Sequence, residues 1–177
     1  MDQKYHLPDY HKKILLRPLA PADKASIAKY INNYRVVRNL RDFIPYPYSE
    51  DDAESFINLN KNIFPPVNFT IEFQGEAIGV IGLVLQKDIH KINAEIGYWI
   101  GEPFWGMGLM SSCVKLITEY AFKTFSLKRI YAGVFETNTA SMRVLEKSGY
   151  TLECVIKKSL IKNEVILDEH LYSIRKS

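Results

Sequence analysis

Apolar positions along the chain recur with two different spacings, and the switches between them mark out the elements. Residues 13–17 (KILLR) read as a short apolar strand, closed by Pro18 and Pro21. Over residues 22–32, Ala25, Ile27, Ala28 and Ile31 follow a helical spacing, with Asp23 in the first turn, where a carboxylate suits the helix dipole. Residues 33–49 are irregular and rich in Arg, Tyr and Pro. Ser49 then precedes acidic residues and the apolar positions Ala53, Phe56, Ile57 and Leu59, which predicts a helix with Ser49 as N-cap. The period changes to two in Asn68–Phe73 (NFTIEF). Gln74 and Gly75 make a turn, and residues 77–86 are apolar enough for a central strand. A polar KDIHKIN loop leads to a strand over 95–100.

After a glycine-bearing turn comes a long amphipathic helix over 109–125. Leu109, Cys113, Leu116, Ile117, Tyr120 and Ala121 share one face, and Lys115, Glu119 and Lys123 share the opposite one. Residues 128–135 form another strand. Residues 138–148 form a short helix with Gly149 in the C′ position, and strands over 150–161 and 164–174 meet at Lys162 and Asn163. The expected fold is mixed α/β (α+β): a mostly antiparallel central sheet flanked by helices. One parallel pair lies around the long helix, joined by a right-handed crossover.

Composition narrows the class. A chain of 177 residues, 47% hydrophobic and 24% charged, fits a single domain over residues 1–177 with a full core. A net charge of +3 gives little support for direct nucleic-acid binding. Cys113 and Cys154 make no CxxC pair and no zinc pattern, so no metal is expected. Both are expected as buried thiols in a reducing compartment. No apolar run spans a membrane, and the polar start MDQKYHLPDYHKK lacks an apolar signal core. A cytoplasmic protein is the expectation.

The most informative stretch is FWGMGL, residues 104–109, between strand and helix. Gly106 and Gly108 let the backbone present N–H groups without a Cβ in the way. The helix that follows adds unpaired N–H groups and the positive end of its dipole. Two anion-site families and a bare turn compete for this pattern. A nucleotide P-loop needs Lys and Ser/Thr after the second glycine, where Leu109 and Met110 stand. A dinucleotide site wants a third glycine, where Ser111 stands. A strand–helix turn with no ligand is the remaining plain alternative to an anion site.

The string EIGYWIGEPFWGMGL (95–109), followed by RIYAGVFETNTASMRVLEKSGY (129–150), closely resembles the GNAT superfamily of acetyl-CoA-dependent N-acetyltransferases. The nearest branch is the RimJ/RimL type (ribosomal-protein-alanine acetyltransferase-like), known for acetylating protein N-termini and other small amines. The resemblance is strong over about residues 93–150. It implies acetyl-CoA as cosubstrate, whose pantetheine arm would lie in a gap between the strand 95–100 and the strand 129–135. That arm would pair with backbone near Tyr98, Trp99 and Ile100. The pyrophosphate would rest on the N–H groups of Trp105, Gly106, Met107, Gly108, Leu109 and Met110.

Two positions depart from the family. Met110 stands where it prefers Gly or Ala, and Met107 lies where a Lys or Arg is common. Asn138 matches an asparagine that contacts the cofactor, and is equally an N-cap for helix 139–148. Ser141 matches a serine near the cofactor sulfur, and is otherwise a solvent-facing helix serine. Many members use a tyrosine where Leu145 stands, so Ser141 is the candidate partner for the departing thiolate.

The transfer needs a neutral amine, an oxyanion donor and a hydrogen bond to the leaving thiolate. Glu95 is the nominated base, because a carboxylate in an apolar cleft has a raised pKa. The alternatives are a surface or cross-strand paired Glu95, with His90 as fallback base. On the acceptor side, Arg35, Arg38 and Arg41 interleave with Tyr34, Phe43, Tyr46 and Tyr48. They read either as a cleft wall or as a solvated basic face over packed aromatics. The expected acceptor is a primary amine, on a protein N-terminus or a small molecule. The family often dimerises, so a homodimer is among the expectations. The rival reading from another class is a catalytically idle CoA-binding or regulatory module, supported by Met110 and Leu145.

Overall fold

The computed structural model describes residues 5–9 and 12–176. Eight strands make one sheet: β1 (Leu7–Asp9), β2 (Ile14–Pro18), β3 (Asn68–Phe73), β4 (Glu76–Leu85), β5 (Asn93–Ile100), β6 (Arg129–Phe135), β7 (Thr151–Lys162) and β8 (Val165–Arg175). They lie in the order β1-β2-β3-β4-β5-β6-β8-β7. Among the described residues each neighbouring pair is antiparallel except β5 and β6, which run parallel. The helices are α1 (Lys24–Ile31), α2 (Tyr34–Val37), α3 (Glu50–Asn60), α4 (Leu109–Thr124) and α5 (Thr139–Lys147). The mixed, mostly antiparallel architecture is as the apolar pattern predicts, with α4 between the parallel pair.

Each sheet face has its own core. On one, the apolar stripe of α4 (Leu109, Cys113, Val114, Ile117, Ala121) packs on Ile71, Ile81, Ala94, Ile96 and Ile130, with Leu145 of α5 fully buried beside them. On the other, Ile27, Ala28 and Ile31 of α1 and Ala53 and Ile57 of α3 pack on Val80, with Trp99 against them. Strand β5 serves both cores because its side chains alternate. Ala94, Ile96 and Ile100 go to the α4 face, and Trp99 goes to the α1–α3 face.

Local chemistry explains the boundaries. Ser49 caps α3 reciprocally: its Oγ accepts from the Asp52 N–H at 3.1 Å, and Asp52 Oδ2 accepts from the Ser49 N–H at 2.8 Å. Gly149 takes φ +90° and ends α5 as expected, with the Tyr150 N–H bonded back to the Leu145 carbonyl at 3.0 Å. Several details differ from the pattern reading. The polar N-terminus contributes β1. Helix α1 starts at Lys24, after a 3-10 turn at Pro21–Asp23. The segment 33–49 contains α2, capped by Asn33 Oδ1. Leu59 stays exposed. The closing hairpin turns at Asn163 and Glu164, both with positive φ, one residue later than expected. Cys154 is exposed on β7, not buried; only Cys113 is.

Asp23 is more than a dipole partner. It is buried at 4% exposure and holds the Arg17 guanidinium through both carboxylate oxygens, at 2.7 and 2.8 Å. It also accepts from the Ala20 N–H and the Thr70 hydroxyl. Burial works to raise its pKa, but these hydrogen bonds outweigh burial and hold it below the ordinary value. The network ties α1 to β2 and β3, and so fixes one wall of the cleft described next.

Candidate functional site

The sheet opens along one seam. β5 pairs with β4 from Ala94 opposite Leu85 to Ile100 opposite Gly79. With β6 it pairs at three positions only: Asn93–Arg129, Ala94–Ile130 and Glu95–Tyr131. Beyond Glu95 the two strands diverge, while β6 stays paired with β8 along its whole length. The β5 edge from Ile96 to Ile100 is therefore left without a ladder partner on that side. A cavity of about 300 Å³ occupies the opening. Glu95 to Trp99 line it from β5, Ala132 to Phe135 from β6, and Asn138 and Ser141 from the start of α5.

A side-chain contact replaces the ladder here. The Tyr98 hydroxyl lies 2.9 Å from Ser141 Oγ, bridging β5 to α5. Burial pushes the Tyr98 phenol well above its ordinary pKa, so it stays protonated. Asn138 caps α5, its Oδ1 accepting from the Ser141 N–H at 3.2 Å. The N-cap role expected of Asn138 is present, and the same residue lines the cavity. Leu145 has no exposed surface and serves the core.

The glycine turn lies at the far end of the open edge. Gly106 and Gly108 have φ of +76° and +73°, a region in which a side chain is strained. Gly108 is the N-cap of α4, so no side chain covers the first N–H groups of that helix. Trp105 Nε1 donates to the Ile100 carbonyl at 2.9 Å and pins the turn to the end of β5. Met110 is 7% exposed and packs into the core under α4, which leaves the outer face of the turn clear of its side chain. Met107 itself is exposed, and basic groups reach the turn from elsewhere. The Arg35 guanidinium sits 5.7 Å from the Trp105 ring and pairs with Glu102. Lys12 Nζ lies 3.8 Å from where a Cβ on Gly108 would be.

Glu95 stands where the seam opens. Its side chain is 18% exposed and pairs with the Arg41 guanidinium. Burial raises its pKa, Arg41 offsets this in part, and Glu169 on β8 adds to the rise. Both expected features, a raised pKa and an ion pair, coexist in this residue. His90 is exposed in the loop before β5 and lies outside the cavity lining. The three arginines separate: Arg41 lines the cleft, Arg35 belongs with the glycine turn, and Arg38 is exposed outside the lining. Phe43 and Tyr48 line the cavity, whereas Tyr34 and Tyr46 stand outside its lining, exposed and near each other.

This arrangement joins an open strand edge to a glycine turn at a helix N-terminus and a paired carboxylate. The acetyltransferase (GNAT) domain family matches residues 13–151. The chain belongs to the GNAT acetyltransferase family. It is similar to the probable N-acetyltransferase YjcK of Bacillus subtilis, 41% identical over 82 residues. That alignment takes in 46% of this chain and 45% of the relative, so the chain spans about half the length of that protein. It is 30% identical over 172 residues to the putative ribosomal N-acetyltransferase YdaF of the same organism, covering 94% of this chain and 93% of the relative. A solved structure of RimL, a ribosomal L7/L12 alpha-N-protein acetyltransferase in complex with coenzyme A, superposes with a TM-score of 0.84. It covers 96% of this chain and 97% of that one, and at 21% identity it shows the shared fold.

In this member of the GNAT family several residues of the candidate site carry no local signal. Arg41 and Glu95 are 54 positions apart, and no spacing rule links them. The Tyr98 hydroxyl reaches Ser141 across 43 positions. The α1–α3 wall of the cavity reads in sequence as ordinary core.

Proposed function

We propose that the protein is a single-domain N-acetyltransferase that moves the acetyl group of acetyl-CoA onto a primary amine by direct attack in a ternary complex. The observation that carries this is the divergence of β5 from β6 beyond Glu95, ending at the glycine turn. The open β5 edge running through Tyr98, Trp99 and Ile100 suits the amide-bearing pantetheine arm through the backbone groups of Tyr98 and the N–H of Ile100, whose carbonyl already accepts from Trp105 Nε1, since a free strand edge recognises backbone-like groups. The N–H groups of Trp105 to Met110 suit the pyrophosphate. Acetyl-CoA supplies the thioester: the amine nitrogen bonds to its carbonyl carbon and the carbon–sulfur bond breaks, releasing the thiolate.

The chain's own residues handle charge and protons. A backbone N–H of the open β5 edge donates to the developing oxyanion. Glu95, on the α1–α3 side of the seam, accepts the proton that the amine must lose. Its raised pKa brings it nearer the working pH, where a general base is most effective. Ser141 donates to the thiolate, backed by the Tyr98 hydroxyl at 2.9 Å, so the serine gives up its hydrogen bond without being left unpartnered. Asn138 positions Ser141 by capping α5.

The test has two arms. Acetyl-CoA and CoA are expected to raise the melting temperature, and NAD(H) is not, because a ligand bound only by the folded state stabilises it. No response to either CoA species would overturn the reading. Glu95→Gln is expected to lower kcat by about 100-fold at low pH, with a smaller loss at high pH where the amine is already neutral. Acetyl-CoA affinity should stay near normal. An unchanged pH–rate profile removes Glu95 from the role of base.

A further inference from the structure

One wall of the cavity is a loop that belongs to no strand. Asn39, Leu40, Arg41, Phe43 and Ile44 line the opening from the stretch between α2 and α3. Its backbone bonds are local turns, such as the Leu40 N–H to the Val37 carbonyl and the Ile44 N–H to the Arg41 carbonyl. A long-range grip comes from the closing hairpin, 120 positions away. Lys162, the last residue of β7, donates from Nζ to the Leu40 carbonyl at 2.7 Å and to the Asp42 carboxylate. Its side chain is 9% exposed, whereas that of Asp42 is 69% exposed. The next residue, Asn163, reaches the Tyr34 hydroxyl of α2 at 3.4 Å. The two residues that Lys162 holds flank Arg41, and the Arg41 guanidinium pairs with Glu95 where the seam opens.

We infer that Lys162 is a positioning residue for the acceptor cleft: by gripping the chain on both sides of Arg41 it holds the guanidinium against Glu95. Glu95 is the base in the acetyl-transfer reading above, and the role of Lys162 rests on that reading. Burying an ammonium is costly unless it is paired, and an apolar side chain would close the hairpin onto the loop without that cost. What a lysine adds is fixed geometry at two named groups. Arg41 itself is more than half exposed, and an exposed ion pair on a free loop is worth little, because a long side chain must be ordered to make it. Fixing the backbone at Leu40 and Asp42 lowers that cost beforehand. Glu95 meets charge from several elements. Arg41 pairs with it from the loop, and Tyr131 of β6 is its partner in register, with the Arg129 guanidinium 4.6 Å from the Tyr131 ring. Glu169 of β8 lies over Gly133 of the cavity lining, its Oε1 2.0 Å from where a Cβ on that glycine would stand. Burial raises the Glu95 pKa, Arg41 lowers it and Glu169 raises it. If Arg41 swings away, Glu95 keeps the repulsion of Glu169 and loses the cation that offsets it, so the base titrates at higher pH.

NMR titration of the Glu95 carboxyl tests this on the full chain, isotope-labelled at the glutamate carboxyls, with the Glu95 signal identified by its loss in Glu95→Gln. Arg41→Met should move that titration to higher pH, and Lys162→Met should move it the same way. In the double variant the shift should be no larger than with Arg41→Met alone, because Lys162 acts through Arg41. Additive shifts, or no shift with Lys162→Met, overturn the inference. Asp42→Asn decides the matter if Lys162→Met does not fold, since the Asp42 side chain is exposed. Loss of a negative charge by itself would move the Glu95 titration to lower pH, whereas loosening of Arg41 moves it to higher pH. An upward shift therefore supports the positioning role, and a downward shift or none overturns it. The titrations need neither acetyl-CoA nor an amine, so their failure leaves the acetyl-transfer reading standing. Failure of acetyl-CoA to raise the melting temperature removes that reading, and the catalytic use of the Lys162 grip with it, whatever the titrations show.

Discussion

The two edges of β5 have the same backbone and opposite uses. Toward β4 the strand is laddered from Ala94 to Ile100, and the approach is so close that Gly79 has no room for a side chain: a Cβ there would sit 2.3 Å from the Trp99 carbonyl oxygen and 2.9 Å from the Ile100 Cα. Toward β6 the ladder stops after Glu95, and a Cβ on Gly97 would meet nothing within 4 Å. One glycine is required because backbone presses on it, while the other faces a space. Close packing fixes the strand on one side so that its groups on the other can stay unpaired and rigid, which a binding edge needs.

Substituting the two glycines breaks this comparison in opposite ways. Gly79→Ala forces a methyl into backbone that has no flexible side chain to yield. It should cost about 3 kcal/mol of stability, in the range of overpacked cores, which lowers the melting temperature by roughly 6–12 °C for a chain of this size. A thermal melt checks it, and a shift under 2 °C would mean the β4–β5 edge is not tightly set. Gly97→Val should fold normally, since the position is exposed and valine suits a strand. Its side chain would stand in the cleft and displace the reacting groups, lowering kcat/KM by about 100-fold, or about 2.7 kcal/mol. Unchanged turnover with an unchanged melt would show that the open edge is not where the ligands lie.

The closed and open regions were not equally legible in the sequence. The strands on the closed side are apolar runs with turn residues between them, and α4 shows its stripe, so period alone finds them. The glycine turn is legible too, because only glycine takes φ near +75° comfortably, and both such positions fall where strand meets helix. The opening itself leaves no mark in period or turn chemistry: residues 95–100 point to it only through their resemblance to the family, and no local pattern says that pairing with β6 stops after Glu95. The ion pair of Arg41 with Glu95 and the contact of Tyr98 with Ser141 join residues 54 and 43 positions apart. Such contacts follow from the folded topology, and no local spacing encodes them. The burial of Met110 was open to two readings, because a methionine at the first turn of a helix can point either way until the core beneath it is known.

The smallest expected effect concerns what holds the seam shut at its paired end. Arg129 is in register with Asn93 there, and its guanidinium reaches Asn93 Oδ1 at 3.5 Å on one side and the Glu153 carboxylate of β7 on the other. Glu153 also accepts from the Ser173 hydroxyl at 2.6 Å and from Arg175. The hydrogen bonds from Arg129 and Ser173 hold its pKa down at about 2, against an ordinary 4.5. Because the folded value is the lower one, this carboxylate stabilises the protein above pH 4.5, and that contribution drains away as the pH falls from 4.5 through about 2. Partial exposure of the cluster limits its worth to about 1–2 kcal/mol. Glu153→Gln should therefore be less stable than the parent by that amount near neutral pH, and the gap should close below about pH 2. Denaturant melts from pH 7 to pH 2 measure it. Parallel stability curves across that window would show that the closed end is held by its ladder alone, and that the charge cluster behind it is a surface ornament of the hairpin.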